Sequence, residues 1–247
     1  MKPYDRLINI LDAFIDTVEG SIDDSFRVRG IQTAMLLERA TASGSGIRIS
    51  ELARHSEAPL ENVRCHIQAQ VELGNLRSSP DPQDDRSSLI FVTEQGSQLY
   101  DTLELVRRLG SLEGDTAAQD FEGEPPYDEI IAILLSFMEG YPGGMKVQGV
   151  KRELLIQRAT DEGQGLTVSD LARLTDTPLE TVRRHVQNAI KQGELRLLED
   201  PDDERKTRVV HADPGRESQR AETVNDHLSR VDWTRFHSGE RGEGEAL

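Results

Sequence analysis

Residues 177–187 read TPLETVRRHVQ and residues 58–68 read APLENVRCHIQ, so one helix-forming stretch occurs twice in the chain. In both copies apolar residues return every three or four positions, which is the period of an α-helix. Gly74 and Gly193 follow at the same distance and predict the end of each helix. The sequence therefore predicts the same amphipathic helix in two places.

The start of each repeated helix is predicted from its capping residues. Thr177 stands at the N-cap position, with a proline after it and Glu180 three residues later, which is the pattern of a capping box. Ala58 replaces the threonine in the first copy, so we expect that helix start to be weaker by about 1 kcal/mol. Ser50 and Ser169 are expected to cap the short helices that come before.

The repeat extends far beyond this helix. Residues 28–96 align without a gap on residues 147–215 at an offset of 119, and 27 of the 69 aligned positions are identical. Residues 3–5 also match residues 126–128 at an offset of 123. This period is that of a duplicated domain rather than of a short solenoid repeat. We expect a first domain over 1–112, an acidic linker over 113–125, a second domain over 126–235 and a disordered tail over 236–247.

Each copy shows the same order of predicted elements. An amphipathic helix is followed by a second helix (30–41 and 149–160), a very short strand (47–49 and 166–168) and a short helix (51–55 and 170–174). The repeated helix and two strands around the polar turns 81–86 and 200–205 complete the unit. This is the order of a winged helix-turn-helix. The predicted fold class is mainly α with small β wings (α+β), as two tandem winged helix-turn-helix domains with flanking dimerisation-type helices.

The wing carries a family resemblance. Residues 74–96 contain Gly-Asn-Leu-Arg, Asp-Pro-Gln-Asp-Asp-Arg and Val-Thr-Glu-Gln-Gly, and this resembles the wing of the multiple antibiotic resistance regulator (MarR) family. The resemblance implies a helix that reads the major groove and a wing arginine that enters the minor groove. Asp85 and Glu204 depart from the family pattern, because an arginine is usual there. The second copy also lacks the family's Leu-Thr-x-x-Gly ending at residues 211–215.

The candidate DNA-binding residues lie on the outer face of each repeated helix and at the wing tips. Arg184 and Asn188 suit guanine and adenine edges, whereas the first copy has Cys65 and Ala69 at those places. Leu60 and the equivalent Leu179 are expected to point at the core. Arg64 and Arg183 flank the outer face and suit phosphate contacts, and Asp84 and Asp203 are expected to orient Arg86 and Arg205. An amphipathic helix after the first wing is expected to bury Leu99, Leu103, Val106 and Leu109. The full set of predicted DNA contacts is Asn62, Arg64, Gln68, Arg86, Thr181, Arg183, Arg184, Gln187, Asn188 and Arg205.

Charge opposes this interpretation in part. The formal net charge is -16, and binding DNA requires Lys and Arg to neutralise phosphates. Residues 28–96 carry 7 basic and 9 acidic residues, and residues 147–215 carry 11 basic and 13 acidic residues. Each repeat therefore has a formal charge of -2, and most of the net negative charge lies outside the repeats. The main prediction is a sequence-specific DNA-binding transcriptional regulator. The alternative is an acidic tandem winged-helix scaffold that binds a partner protein rather than DNA.

Other classes of function have little support in the sequence. We find no glycine-rich phosphate loop, nucleophile elbow or telling pair of carboxylates, so no enzyme, catalytic residue or cofactor is predicted. The single cysteine, Cys65, and the spacing of the histidines predict no metal site. The start of the chain has no secretory pattern and no apolar run is long enough for a membrane span, so we expect a cytoplasmic protein.

The predicted partners are DNA and the chain itself. Double-stranded DNA is the predicted partner, no membrane partner is expected, and any small-molecule effector is unidentified. In the resembled family the first and last helices form the dimer interface. We therefore expect either that the two halves pair within one chain as a pseudo-dimer, or that tandem chains form a homodimer.

Overall fold

The computed structural model of the chain is mainly helical with two small antiparallel sheets, an α+β arrangement. It describes residues 3–17, 27–97, 101–112, 121, 123–141, 145–201 and 203–238, without the side chains at positions 3, 204, 205, 237 and 238. The parts of the predicted linker at 113–120 and 122, and of the predicted tail at 239–247, lie outside this description. In the described part, we find no helix that is both long and apolar enough for a membrane span.

The first half contains six helices and three strands in the described residues. They are α1 (Pro3–Asp16), α2 (Val28–Ala42), β1 (Ile47–Arg48), α3 (Ile49–His55), α4 (Leu60–Glu72), β2 (Leu76–Asp81), β3 (Asp84–Val92), α5 (Glu94–Ser97) and α6 (Thr102–Leu112). The described part of the second half contains α7 (Tyr127–Gly140), α8 (Val147–Asp161), α9 (Val168–Leu174), α10 (Leu179–Lys191), β4 (Leu195–Asp200), β5 (Asp203–His211), α11 (Pro214–Leu228) and α12 (Arg235–Ser238). The main helices and the hairpin therefore follow in the same order in both halves, whereas β1 has no counterpart strand in the described part of the second half.

The predicted caps of α3 and α9 are wrong by two residues. Both helices begin before the serines, at Ile49 and Val168, and Thr167 caps α9 by accepting a hydrogen bond from the backbone of Asp170. The carboxylate of Glu51 in α3 reaches back to the backbone nitrogen of Arg48. An acidic residue at the third helical position thus supports an earlier start than the serine pattern predicts.

The predicted capping box of α10 is also wrong. Thr177 donates its hydroxyl to the backbone oxygen of Thr175, and the N-cap residue Pro178 makes no side-chain capping bond. Glu180 instead contacts an arginine one turn later on its own helix. Since α4 also begins after a proline without a side-chain cap, the two helix starts are alike, and the expected difference of about 1 kcal/mol has no structural basis.

Each unit ends in a two-stranded antiparallel hairpin. β2 pairs with β3 from Leu76 opposite Val92, and β4 pairs with β5 from Leu195 opposite His211. The strands are longer than predicted, because pairing continues to within two residues of the turn. β1 adds a third strand to the first hairpin, but in the second half only Leu166 forms a bridge, so the strand predicted at 166–168 is reduced to one residue pair.

The two halves exchange their first helices. α1 packs against α8 of the second half, and α7, the counterpart of α1, packs against α2 of the first half. The backbone of Arg27 forms an antiparallel bridge with Lys146, its own counterpart at the offset of 119. Because a residue that meets its own counterpart lies on a two-fold axis, the chain has an internal pseudo-two-fold arrangement.

Ion pairs repeat this relation between the halves. Arg158 contacts Asp5 across the junction at 2.6 Å, and the counterpart pair Arg39 and Asp128 has the same separation. All four side chains are at least partly exposed, so each pair contributes little to stability, on the order of 0–1 kcal/mol. Both pairs join the first helix of one half to the second helix of the other half.

One continuous apolar core joins the halves. Phe14 of α1 and its counterpart Phe137 of α7 are almost completely buried in it. Phe121 and Phe236, which lie in the segments predicted as linker and tail, are buried in the same core. Phe236 lies beside the ring of Trp233, which anchors the end of the second half.

Three leucines that were expected in the core are exposed. Leu60 and Leu179 are 42% and 41% exposed, because each is the first residue of its helix and lies at the edge of the core. Leu103 is 40% exposed, and Leu105 takes the buried position on α6 instead. Leu99 lies outside the described residues. The amphipathic patterns thus predicted the helices better than they predicted which residues lie at the ends of the buried faces.

Candidate nucleic-acid interface

The outer face of α10 contains four of the predicted reading residues. The helix buries one side against its own unit, which leaves Arg184, Gln187 and Asn188 exposed and Thr181 half-buried. Among the residues that the structure describes, Arg184 and Asn188 form no side-chain hydrogen bond or ion pair. A guanidinium and an amide on adjacent turns of an exposed helix face can each make two hydrogen bonds to a purine.

The outer face of α4 has weaker chemistry at the equivalent places. Asn62, Cys65, Gln68 and Ala69 are all exposed. Gln68 donates to Glu72 on the next turn at 3.3 Å, so its amide is partly engaged. Cys65 and Ala69 stand where α10 has Arg184 and Asn188, and they cannot make bidentate contacts with a base.

The two outer faces also differ in charge. α4 contains one arginine against two glutamates, whereas α10 contains three basic residues against one glutamate. The formal charges are therefore -1 and +2. Since local field rather than net charge draws DNA to a surface, α10 is the more favourable face for a polyanion.

The two predicted phosphate contacts are paired within their own helices. Arg64 contacts Glu61 at 2.9 Å, and Arg183 contacts Glu180 at 2.7 Å. These pairs are exposed, and exposed pairs of this kind contribute only a few tenths of a kcal/mol. A nearby phosphate can therefore compete for either guanidinium at little cost.

The wing tips differ from expectation in one respect. Asp84 was expected to orient the side chain of Arg86, but its carboxylate accepts a hydrogen bond from the Arg86 backbone nitrogen at 3.0 Å. The Arg86 side chain is exposed and is not held by that aspartate. The side chain of Arg205 lies outside the described residues. Asp203, expected to orient Arg205, contacts Lys206 at 3.2 Å.

The first wing is attached to its unit by a buried aspartate, Asp81, which the residue pattern did not reveal. Arg48 donates from Nε to Asp81 at 2.6 Å, and the backbone nitrogen of Gln83 and the hydroxyl of Ser87 each donate to the same carboxylate at 2.8 Å. These hydrogen bonds lower the pKa of Asp81 to about 2. The carboxylate is therefore ionised and holds the hairpin turn to β1.

In the second wing the arginine that binds the buried aspartate belongs to the wing itself, and it joins the hairpin to its unit by donating from Nη1 to the backbone oxygen of Gln164 at 2.9 Å. Asp200 is the counterpart of Asp81, and Arg208 of β5 donates to it from both Nε and Nη2, at 2.9 and 3.0 Å. Arg48 and Leu89 are cross-strand partners in the first half, and Arg208 is the counterpart of Leu89. The arginine has thus moved across the strand pair between the two copies. The repeated Asp-Pro was the available signal.

Polar clusters of different composition join the halves. Tyr127 of α7 and Thr102 of α6 donate to the buried carboxylate of Glu38, at 3.4 and 2.6 Å. In the second half the counterpart of Glu38 is Gln157, whose amide nitrogen donates to Ser218 at 2.9 Å. Burial raises the pKa of Glu38 to about 7, in spite of its two donors. Glu38 also lines an open groove of about 570 Å³ at the junction.

A further cluster connects three elements of the second unit. Glu153 of α8 lies between His185 of α10 and His211 at the end of β5, with Nε2 to carboxylate distances of 3.4 and 3.6 Å. The counterparts of Glu153 and His211 in the first unit are Ala34 and Val92. The recurrence of a histidine at 66 and 185 did not reveal this cluster, because its other members occur in one copy only.

Comparison with protein-family models and with curated proteins found no match for the chain. The clues to function are therefore the outer faces of α4 and α10 and the wing tips. The outer face of α10, with unengaged Arg184 and Asn188, carries the most specific chemistry among them.

Proposed function

We propose that the chain is a sequence-specific DNA-binding transcriptional regulator, built as two tandem winged helix-turn-helix units of MarR type that pair within one chain. The observation that carries this proposal is the outer face of α10. Arg184 and Asn188 are exposed and unengaged there, on the more basic of the two outer faces. Bidentate contacts of this type discriminate between bases by about 1–3 kcal/mol each.

The internal pseudo-two-fold supports an intrachain pseudo-dimer. The exchange of α1 and α7, the bridge between residues 27 and 146 and the single core are the contacts expected of two paired subunits. Such a pairing would present α4 and α10 to one stretch of DNA as two reading helices. Their unequal chemistry predicts an asymmetric site, with one half-site read strongly by α10 and the other bound more weakly.

Selection of bound genomic DNA, at low and at physiological salt, tests the proposal. Arg184→Ala should relax the base preference of one half-site, whereas Arg183→Ala should weaken binding of all sequences and reduce the salt dependence. Arg230→Ala is the matched control, since Arg230 is an exposed arginine of the turn after α11 that pairs with Asp226. If wild type enriches no DNA at either salt concentration, the regulator proposal is refuted.

Sedimentation tests the pairing. A 27.6 kDa monomer that protects one site with two half-sites agrees with intrachain pairing. A tight dimer of chains that protects two separate sites contradicts it.

The second candidate function is a scaffold that binds a partner protein. Its support is electrostatic, because the net charge is -16 and the first wing places exposed Asp84 and Asp85 beside Arg86. DNA would be repelled by such a surface unless α10 dominates the local field. Absence of DNA enrichment, together with recovery of a defined protein partner by crosslinking in cells, would favour this function.

A further inference from the structure

Glu153 is the only side chain of the His185–Glu153–His211 cluster that contacts both the reading helix and the wing. Its carboxylate is mostly buried between the two rings, with Oε1 facing His185 and Oε2 facing His211. Nε2 of His211 also lies 3.3 Å from the backbone oxygen of Glu153. Because a carbonyl oxygen only accepts hydrogen bonds, this nitrogen carries the proton.

The charges around the cluster favour an ionised Glu153. Burial raises the pKa of Glu153, but the hydrogen bond from His185 and the charge of His211 oppose this effect. Arg152, which is buried next to it, acts in the same direction, so the pKa lies below its usual range. The carboxylate is thus a fixed negative charge between two rings that can become cationic.

Other charged groups face the same interior from the neighbouring elements. Tyr141 at the end of α7 is buried within electrostatic range of Glu153, and burial raises the pKa of that tyrosine. Glu217 of α11 is paired with Arg220 at 2.8 Å and so adds little net charge. In the described residues, no group of three or more His, Cys, Asp or Glu side chains is arranged to hold a metal ion.

We propose that Glu153 is a positioning residue that locks α10 to the wing of the second unit. The proposal rests on the proposed DNA-binding function and concerns the regulation of the same surface. His185 directly follows Arg184 and precedes Asn188 by one turn, so a contact at His185 fixes the rotation of the reading face. His211 ends the strand that carries the wing, so the same carboxylate relates helix and wing.

The first unit provides an internal control. Its counterpart histidine, His66, also lies on the reading helix, but Ala34 and Val92 replace the carboxylate and the second histidine. Partial burial lowers the pKa of His66. The effect of removing the lock should therefore appear in the second unit alone.

Hydrogen exchange of the full chain without DNA tests the lock directly. After correction for intrinsic exchange rates, Glu153→Gln should raise exchange about tenfold in residues 179–191 and 203–211, and leave residues 60–72 unchanged. His66→Gln, the matched change in the first unit, should leave exchange in residues 179–191 and 203–211 unchanged.

Binding to the selected DNA provides the functional readout. Glu153→Gln should weaken binding of the selected DNA several-fold, whereas His66→Gln should change it less. Unchanged protection of residues 179–191 and 203–211 in Glu153→Gln overturns the proposal. A wild-type chain that selects no DNA refutes the proposed function instead, and the exchange experiment then still decides whether Glu153 holds α10 to the wing.

Discussion

Replacing Glu38 by glutamine should stabilise the protein in a pH-dependent manner. Glu38 is only 8% exposed, and its Oε1 is buried without a hydrogen-bond partner among the described residues. Its pKa is raised from 4.5 to about 7. Above that pH the folded chain must hold a buried negative charge, whereas the unfolded chain holds the same charge in water. The shift corresponds to about 3 kcal/mol of lost stability, in order of magnitude.

The pH range follows from the direction of the shift. Below about pH 4.5 Glu38 is protonated in both folded and unfolded chains and costs nothing electrostatically. The penalty grows as the pH rises from 4.5 to about 7 and is constant above that. Gln157 occupies the equivalent position of the second half, so an amide is sterically compatible with this type of site.

Urea unfolding of wild type and Glu38→Gln at a series of pH values measures the effect. The difference in unfolding free energy should increase by about 3 kcal/mol between about pH 4.5 and pH 8, whatever its value at the acid end. Glu94→Gln, which changes an exposed glutamate, should show no such increase. A difference that stays constant with pH would show that Glu38 is not a buried, neutralised carboxyl and would refute the reasoning.

Three further predictions concern the core, the wing and the reading face. Phe14→Ala and Phe137→Ala should each destabilise the chain by about 3–5 kcal/mol in a single unfolding transition, since both rings lie in one core; two calorimetric transitions would contradict this. Asp81→Asn should lower the free energy of unfolding, measured with urea, above about pH 4. The difference from wild type should vanish toward pH 2, because folding lowers the pKa of Asp81 to about 2. Cys65→Arg combined with Ala69→Asn should change the DNA sequence selected for the weaker half-site, and an unchanged selection would exclude these positions from base reading.

The repeat predicted the elements of each unit but not the ends of the helices. The apolar period correctly indicated α4 and α10, because each turn of a helix buries residues three and four positions apart. It wrongly placed Leu60 in the core, since periodicity does not reveal where the covering element stops. The capping pattern at Thr177 was misleading for a related reason, because a hydroxyl has several backbone acceptors within reach and the turn geometry selects among them.

The sequence predicted the exposure of the candidate site but not its surroundings. Arg184 and Asn188 were predicted as base contacts from residue type and helix position, and this stays a prediction. Their side chains are exposed and have no partner among the described residues. The pairing of Arg183 with Glu180 also follows from a local spacing of three residues. The cluster of Glu153 with two histidines could not be predicted, because its members are separated by 32 and 58 positions in the sequence.

By itself, the sequence determined that one unit occurs twice, since 27 identities in an ungapped alignment of 69 residues require no knowledge of structure. It also determined the helical and strand segments, because these depend on neighbours along the chain. Only the tertiary structure decided that α1 packs on α8 while α7 packs on α2, and that Asp200 takes its arginine from β5 whereas Asp81 takes it from β1. The physical reason is that a buried face or a carboxylate accepts any complementary partner, and the packing of distant segments determines which one comes within reach.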